Sequence, residues 1–579
     1  MTQRTRWLVS PPLTPQANEN LAEFPPLMRQ LLFNRGYATA AEARAFVEGR
    51  VTFDTAPSQM KGMDATVARI RAALERREPI AVYGDYDVDG VTATALLVQA
   101  LQALGADARP YIPNRFEEGY GLNNEALDLL AKDGVKLVIS VDCGIRSPEE
   151  ARHARTVGLD LIITDHHEPA GELPDACAVV NPKQEGDAYP EKYLAGVGIA
   201  YKIAQALMAD ERPKTNDGVP SSVVRPSSDF LDSLLDLVAL GTVADLAPLT
   251  GENRLLVRAG LCQMRQTRRQ GLFSLANVSG VPVASITAMH IGFLLGPRLN
   301  AAGRLDSATA AYDLLTAADL KIAGELAQKL DGQNRERQAL TRKIQAEAEA
   351  MALADDPDAL LMFAVSPDFN SGVVGLAAAR LVETYYRPAI VGQQNGETTR
   401  CSCRSIPEFH ITHALDQCTD LLVRHGGHAA AAGFTVRNEN LEALKARLKA
   451  VAAEQLAGLD LRPTFTADAE APLADLKHDL LKQLEQLQPT GYGNPEAVFV
   501  TRGAVVKSAR TVGADAKHLK LTLSDGRYTF DAIGFRLGPR LDSLPGRLDV
   551  LYTFEANEYN GRVSLQLNLK DIKSAGTPD

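Results

Sequence analysis

The chain has 579 residues, more than one hydrophobic core organises, so two to four domains are expected. With 45% hydrophobic and 23% charged residues it has the composition of a folded globular protein, and no apolar run is long enough to cross a bilayer. A net charge of −11 excludes a uniformly basic surface but not a local basic path, and acids clustered to hold cations lower the sum without repelling a substrate.

The opening MTQRTRWLVSPPLTP has basic residues but no apolar stretch before a small-residue cleavage site, which excludes a secretory signal. Residues 1–60 read as an N-terminal extension packed on the domain next in the chain. From about 64 to 210, strands are predicted at IAVYGDY (80–86), ARPYIP (108–113), KLVISVD (136–142), LDLIITD (159–165) and CAVVNP (177–182). Helices are predicted at VTATALLVQALQALG (91–105) and NNEALDLLAKDG (123–134). This alternation predicts a parallel sheet with helices on both faces. The polar, Pro- and Ser-rich stretch 210–229 reads as a surface loop. Helical pattern returns from 229 to 350, and 317–354 reads as a long connecting helix with room for a break at Asp331–Gly332. A second α/β unit covers about 358–455. After Pro463, short alternating strands with Asp525–Gly526 and Asn560–Gly561 turns predict an OB-like barrel of about five strands. The six cysteines are scattered apart from Cys401 and Cys403, so they read as reduced cytosolic thiols rather than a zinc site.

Three predicted strands end in acids: Asp85, Asp87 and Asp89 in YGDYDVDG, Asp142 in VDCG, and Asp165 followed by His166 and His167 in TDHH. In a parallel sheet the C-terminal strand ends share one edge, where ligands and catalytic groups collect. One Asp-x-Asp after a strand is more often a helix cap, and one His-His pair is usually surface or a satisfied core residue. All three in succession at βα spacing point instead to a site. Several carboxylates at one edge require divalent cations, and mostly oxygen donors with an imidazole suit Mn²⁺ or Mg²⁺. More than four candidate ligands exceed the need of one ion, and two ions about 3.5–4 Å apart are the arrangement used for phosphoryl hydrolysis.

YGDYDVDG, VDCG, TDHH and GTVADLAPL resemble the ordered motifs of the DHH phosphoesterase superfamily. Within it DYDVDG, GPRLNAAGRL (296–305) and QPTGYGNPEAVF (488–499) resemble the bacterial RecJ nucleases, over about residues 60 to 570. The resemblance implies an α/β protein with a parallel-sheet DHH catalytic domain (61–315), a connecting helix (316–355), an α/β DHHA1 substrate-binding domain (356–458) and an OB-like nucleic-acid-binding barrel (464–575). It implies metal ligation by Asp85, Asp87, Asp142, His166 and Asp245, with Asp142 bridging two divalent cations. The catalytic set it implies is Asp142, His167 and Asp89, His167 facing the scissile phosphate. Asp89 either ligates or orients its loop and caps the helix near Gly90; Asp165 can hold a neighbouring ligand in place.

The second α/β unit carries SPDFNSGVVGLAAAR (366–380), CSCRS (401–405) and HGGHAAAAGFTV (425–436). Alone, each is more often tight packing than a binding site. Together they resemble the DHHA1 domain, in which Ser402 and Arg404 lie where the terminal phosphate docks, with His428 in the third motif. Arg115, Arg298, Asn300 and Arg304 are further candidates for backbone phosphates, against a competing reading as salt bridges. On the barrel, Lys507, Arg510, Lys517, Lys520, Arg527 and Tyr528 suit a single strand, against a competing reading as a half-exposed strand face of the same composition. The activity implied is 5′→3′ degradation of single-stranded DNA to 5′-mononucleotides in recombination and repair, by a cytoplasmic monomer without membrane contact. Partners implied are single-strand-binding protein and a helicase. The rivals are a small-substrate DHH hydrolase, disfavoured by length and by DYDVDG, and a non-catalytic scaffold, disfavoured by the intact acids.

Overall fold

A computed structural model describes residues 5–49, 55–115, 118–119, 121–209, 228–559 and 562–577. Most of the 210–229 stretch, read from sequence as a loop, and the Asn560–Gly561 turn lie outside the described residues. The chain folds into two compact units. One comprises Pro11–Gln333 with Asp468–Ile572, and the other comprises Asn334–Ala467 with the two ends of the chain.

The first unit is built on a five-stranded parallel sheet. Its spatial order is Ala108–Tyr111, Ile80–Gly84, Leu137–Val141, Asp160–Thr164 and Ala178–Val180. Ile80–Gly84 and Leu137–Val141 are buried at every position, as expected for central strands covered on both faces. The helix Val88–Ala103 follows the first of these and is apolar all round, with 13 of its 16 residues buried, so it runs through the core rather than along the surface. It packs beside helices Gly196–Met208 and Leu235–Ala244 in one continuous apolar cluster.

The same unit contains the barrel. Strand Val498–Val512 pairs antiparallel with His518–Ser524 on one side and with Arg547–Tyr559 on the other. Thr529–Gly534 and Arg562–Ser574 complete the ring, which closes on five strands. The N-terminal extension meets the domain next in the chain, where Arg254 and Arg258 donate to the carbonyls of Phe46 and Val47, and it also packs on the barrel at the far end of the sequence. Leu21, Met28, Leu31, Leu32 and Phe46 share a core with Phe499, Leu519, Leu521 and Tyr552 of the barrel. Polar contacts reinforce this: Asn34 donates to Asp468, and Arg35 to Asn494 and the carbonyl of Pro495.

The second unit has a five-stranded mixed sheet in the order Leu422–Gly427, Ala431–Arg437, Thr398–Arg404, Ala389–Asn395, Met362–Ser366, with only the last pair parallel. Strand Arg6–Val9 pairs in parallel with Thr464–Ala467. The long helix runs unbroken from Leu320 to Asp355, through Asp331 and Gly332. The break allowed by sequence does not occur, because one glycine costs a helix only about 1 kcal/mol and 36 residues of continuous hydrogen bonding absorb it.

Candidate metal centre

Register places the acids. Gly84 pairs with Val141 and Val141 with Thr164, so the next residues along, Asp85, Asp142 and Asp165, emerge side by side from three adjacent strands. Asp142 leaves its strand in the left-handed region, at φ 63°, which costs a non-glycine residue of the order of 1–2 kcal/mol and turns its carboxylate back over the sheet edge. Asp87 is the N-cap of helix Val88–Ala103, accepting from the N–H groups of Asp89 (2.9 Å) and Gly90 (3.1 Å). A side chain at Gly90 would meet the Asp85 backbone 2.6 Å away, so this tight turn holds the first motif against its own strand.

The helix therefore begins at Val88, and Asp87 rather than Asp89 caps it. Asp89 reaches across to a different helix, accepting from the N–H groups of Gly196 (2.7 Å) and Val197 (2.9 Å). Asp245 arrives at the C-cap of Leu235–Ala244. His166 Nε2 lies 2.9 Å from Asp142 Oδ1, 3.7 Å from Asp245 Oδ2 and 3.8 Å from Asp89 Oδ2. Three overlapping sets result: Asp85, Asp87 and Asp142; Asp142, His166 and His167; Asp89, His166 and Asp245. Within each set the donor atoms lie within 4.8 Å of one another.

Electrostatically the cluster is under-compensated. Burial first, and then Asp87, push Asp85 well above the ordinary carboxylate range. Burial and then Asp89 and Asp87 do the same to Asp142. Burial with Asp87 pushes Asp89 up to about 7, and burial with Asp89 pushes Asp245 up to about 9. Burial and then His167 push His166 down to about 3, so its imidazole is neutral near pH 7 and offers a lone pair rather than a counter-charge. Asp85 Oδ1, Asp142 Oδ1 and His166 Nε2 are buried with no hydrogen-bond partner among the described residues. A carboxylate oxygen and an imidazole nitrogen facing each other at 2.9 Å repel unless a proton or a cation lies between them. Oxygen-rich donors with one imidazole fit Mn²⁺ or Mg²⁺.

Asp165 takes a different part. It accepts from the N–H groups of Ile145 (2.9 Å), His166 (2.8 Å) and His167 (3.0 Å), and from His167 Nδ1 (2.7 Å). Burial pushes it up, but the hydrogen bond and charge of His167 outweigh burial and leave it below the ordinary range. Burial pulls His167 down, and Asp165 reverses this and holds it above the ordinary imidazole value. The carbonyl of His167 is fixed in turn by buried Asn181, at 2.8 Å.

The other expected residues divide by what they touch. Arg115 stacks on Tyr86, its Cζ 5.0 Å from the ring centroid, and its charge lowers Asp85. Arg298 donates to Asp331 (2.9 Å) and to the carbonyl of Leu294 (2.7 Å), the salt-bridge arrangement. Asn300 accepts from Val88 N–H at 3.2 Å, which makes it a prop for the first motif. Arg304 is half-buried on the same helix, Gly296–Leu305. In the second unit, Ser402 and Arg404 alternate with Cys401 and Cys403, which face the core. The other face of that strand meets helix Val374–Tyr385 at Gly375, where a Cβ would stand 3.2 Å from Arg404 Nη2 and 3.4 Å from Ser402 Oγ. His428 sits exposed at the turn between the last two strands of the hairpin. On the barrel, Lys517 pairs with Asp515 and Lys520 with Asp531. Sequence reasoning missed Gly196, Val197 and Asn181; the glycine pair in LAGVG was the one visible signal.

Comparison with known proteins agrees with this geometry. The DHH family N-terminal domain matches residues 79–242, the DHHA1 domain 358–454 and the RecJ OB domain 467–571. The single-stranded-DNA-specific exonuclease RecJ of Bacillus subtilis (strain 168) is 39% identical over 551 residues, 94% of this chain and 68% of that protein. The Escherichia coli (strain K12) exonuclease of the same name is 34% identical over 576 residues, 95% of this chain and 96% of that protein. The crystal structure of RecJ from Thermus thermophilus in complex with Mn²⁺ aligns with a TM-score of 0.84 and 30% identity, covering all of this chain and 81% of that one. Motif order, sheet-edge geometry and end-to-end similarity converge: the chain belongs to the RecJ family of DHH/DHHA1 nucleases.

Proposed function

We propose that the chain is a single-stranded-DNA-specific 5′→3′ exonuclease that hydrolyses phosphodiester bonds to release 5′-mononucleotides with two divalent cations, Mn²⁺ or Mg²⁺. The observation that carries this reading is the buried trio Asp85 Oδ1, Asp142 Oδ1 and His166 Nε2 at the strand edge, which has no hydrogen-bond partner among the described residues. Asp85, Asp87, Asp142, His166 and Asp245 would hold the ions, and Asp142 is shared between the set with His166 and the set with the first-motif acids. Bound cations supply neutralisation of the developing phosphate charge and a water acidified toward neutral pH.

The chain's own residues set the geometry. Asp165 fixes the ring of His167 and favours its protonated form, so the imidazolium is a donor for a phosphate oxygen. Arg115 is a second cation beside the first motif. Asn300 and Arg298 act as scaffold, holding Val88 and Asp331, while Arg304 remains a candidate backbone contact. In the second unit, Ser402 and Arg404 beside Gly375 form a cradle for the terminal phosphate: the guanidinium is half-buried and its pKa lowered by that partial burial, and an anion would relieve it. The polarity of digestion rests on this cradle and on family membership. His428 flanks it, and the barrel engages the single strand. Recombination and repair in the cytoplasm as a monomer, with single-strand-binding protein and a helicase supplying ends, complete the proposal.

The test is digestion of single-stranded DNA labelled at either end, with Mn²⁺ or Mg²⁺, beside a blunt duplex and an Asp142→Ala control. Immediate release of labelled mononucleotide from the 5′ end alone, absent with duplex and control, is expected. Metal-independent cleavage, or release from the 3′ end, overturns the reading.

A further inference from the structure

Helix Gly196–Met208 has an N-cap, Ala195, with no side chain to offer, so the N–H groups of its first turn need partners from elsewhere. They find one in Asp89, 107 and 108 residues away in sequence: Oδ2 accepts from Gly196 and Oδ1 from Val197. The same turn meets a second carboxylate by contact alone. A Cβ built on Gly196 would lie 2.7 Å from Asp142 Cβ and 3.0 Å from its Cγ and Oδ1, closer than carbon atoms approach. Asp142 cannot easily yield, since it is buried and already held in the left-handed region at φ 63°. Gly241, on the neighbouring helix, closes the other side: a Cβ there would stand 2.8 Å from Asp89 Oδ1 and would also strike Thr92 Oγ1. One helix terminus thus meets two acids of the centre, one through its N–H groups and one through a missing side chain.

We infer that Gly196 is a positioning residue of the metal centre, its bare Cα setting how far Asp142 stands from His166 while its N–H, with that of Val197, anchors Asp89. This deepens the metal-centre reading and rests on it. Asp89 then serves as a helix cap for a helix other than its own, with both carboxylate oxygens engaged by its N–H groups. Asp142, by contrast, has an oxygen with no hydrogen-bond partner among the described residues and depends on that fixed stand-off to meet an ion.

Two readings of the full chain test this: Mn²⁺ uptake, by electron paramagnetic resonance titration without DNA, and thermal melting in EDTA. The variants are Gly196→Ala, Asp142→Gly and the double variant; glycine at 142 removes the Cβ that a methyl group at position 196 would strike and suits a positive φ. Gly196→Ala is expected to weaken Mn²⁺ binding roughly tenfold or more, the scale of lost support around metal ligands, and to lower the EDTA melting temperature. In the Asp142→Gly background the same substitution is expected to leave melting unchanged, because the three atoms nearest to a methyl group at position 196 are gone. Mn²⁺ affinity within twofold of wild type for Gly196→Ala, or an equal loss of melting temperature in both backgrounds, overturns the inference. Failure of the wild-type protein to take up Mn²⁺ would instead sink the functional reading, and the melting comparison would still decide the role of Gly196.

Discussion

The helix Gly196–Met208 touches two buried charge clusters that solve the same problem in opposite ways. Around its middle, Lys202 pairs with Glu252, which also accepts from the Tyr189 hydroxyl, and all three side chains are buried. The charges there cancel: Glu252 Oε1 has no hydrogen-bond partner among the described residues, but it faces the Lys202 ammonium, and the pair is satisfied in charge as folded. At the N-terminus of the same helix, five buried or half-buried acids gather around a neutral histidine, and three polar atoms have no hydrogen-bond partner among the described residues. A satisfied buried pair is architecture; an unsatisfied one at a strand edge is a place for something to bind.

The largest effect should come from emptying the unsatisfied cluster. Asp142→Ala is expected to lower single-strand digestion on the order of a thousandfold, the scale of losing a principal charge-stabilising group, and to leave the metal-free fold at least as stable. End-labelled DNA and urea titration read the two sides. The satisfied cluster should behave in the reverse way. Lys202→Met strands Glu252 and is expected to cost about 3–5 kcal/mol of stability, while Mn²⁺ affinity stays near wild type. Loss of Mn²⁺ binding without loss of stability would collapse the contrast.

A smaller effect is expected one layer out. Asp165→Asn releases the ring of His167 and should cost roughly 10–100-fold in activity, with the pH–rate profile losing the group that His167 contributes. An unchanged profile would remove His167 from the chemistry. Smallest per group, but systematic, is the pH dependence of the metal-free protein. Asp89 and Asp245 are raised, to about 7 and about 9, so the native state keeps protons that the unfolded chain releases near pH 4. Their contribution to stability is greatest at low pH and is lost progressively as pH rises through those values. Melting in EDTA should therefore fall from about pH 4 to about pH 9, and the gain on adding Mg²⁺ should grow over the same window. Within the Asp165–His167 pair the signs oppose, and His167 shares the direction of Asp89 and Asp245. Asp165, held low, loses its contribution as pH falls below the ordinary carboxylate range, and His167, held high, loses its own as pH rises through its folded value.

Much of this architecture could be read from sequence because it is local or periodic. Strand-end acids in YGDYDVDG, VDCG and TDHH need only the parallel-sheet rule to converge, and the turn-punctuated alternation after Pro463 was enough for a barrel. What stayed hidden depends on contacts distant in sequence. Asp245 follows an apolar helix, where an acid is ordinarily a cap, and only its 3.7 Å approach to His166 separates it from one. Nothing near Asp89 points to Gly196, and nothing in residues 11–49 says that their apolar face is completed by strands more than 400 positions later. Arg298 shows the converse: its motif suits a phosphate contact, but Asp331 on the next long helix claims it.

The most direct test of the buried acids as a metal centre is an Mn²⁺ titration of the full chain followed by electron paramagnetic resonance, beside Asp142→Ala. Uptake of two ions per chain with a spin-coupled signal, lost in the variant, is the expected result. No uptake, or uptake that Asp142→Ala leaves unchanged, would contradict it.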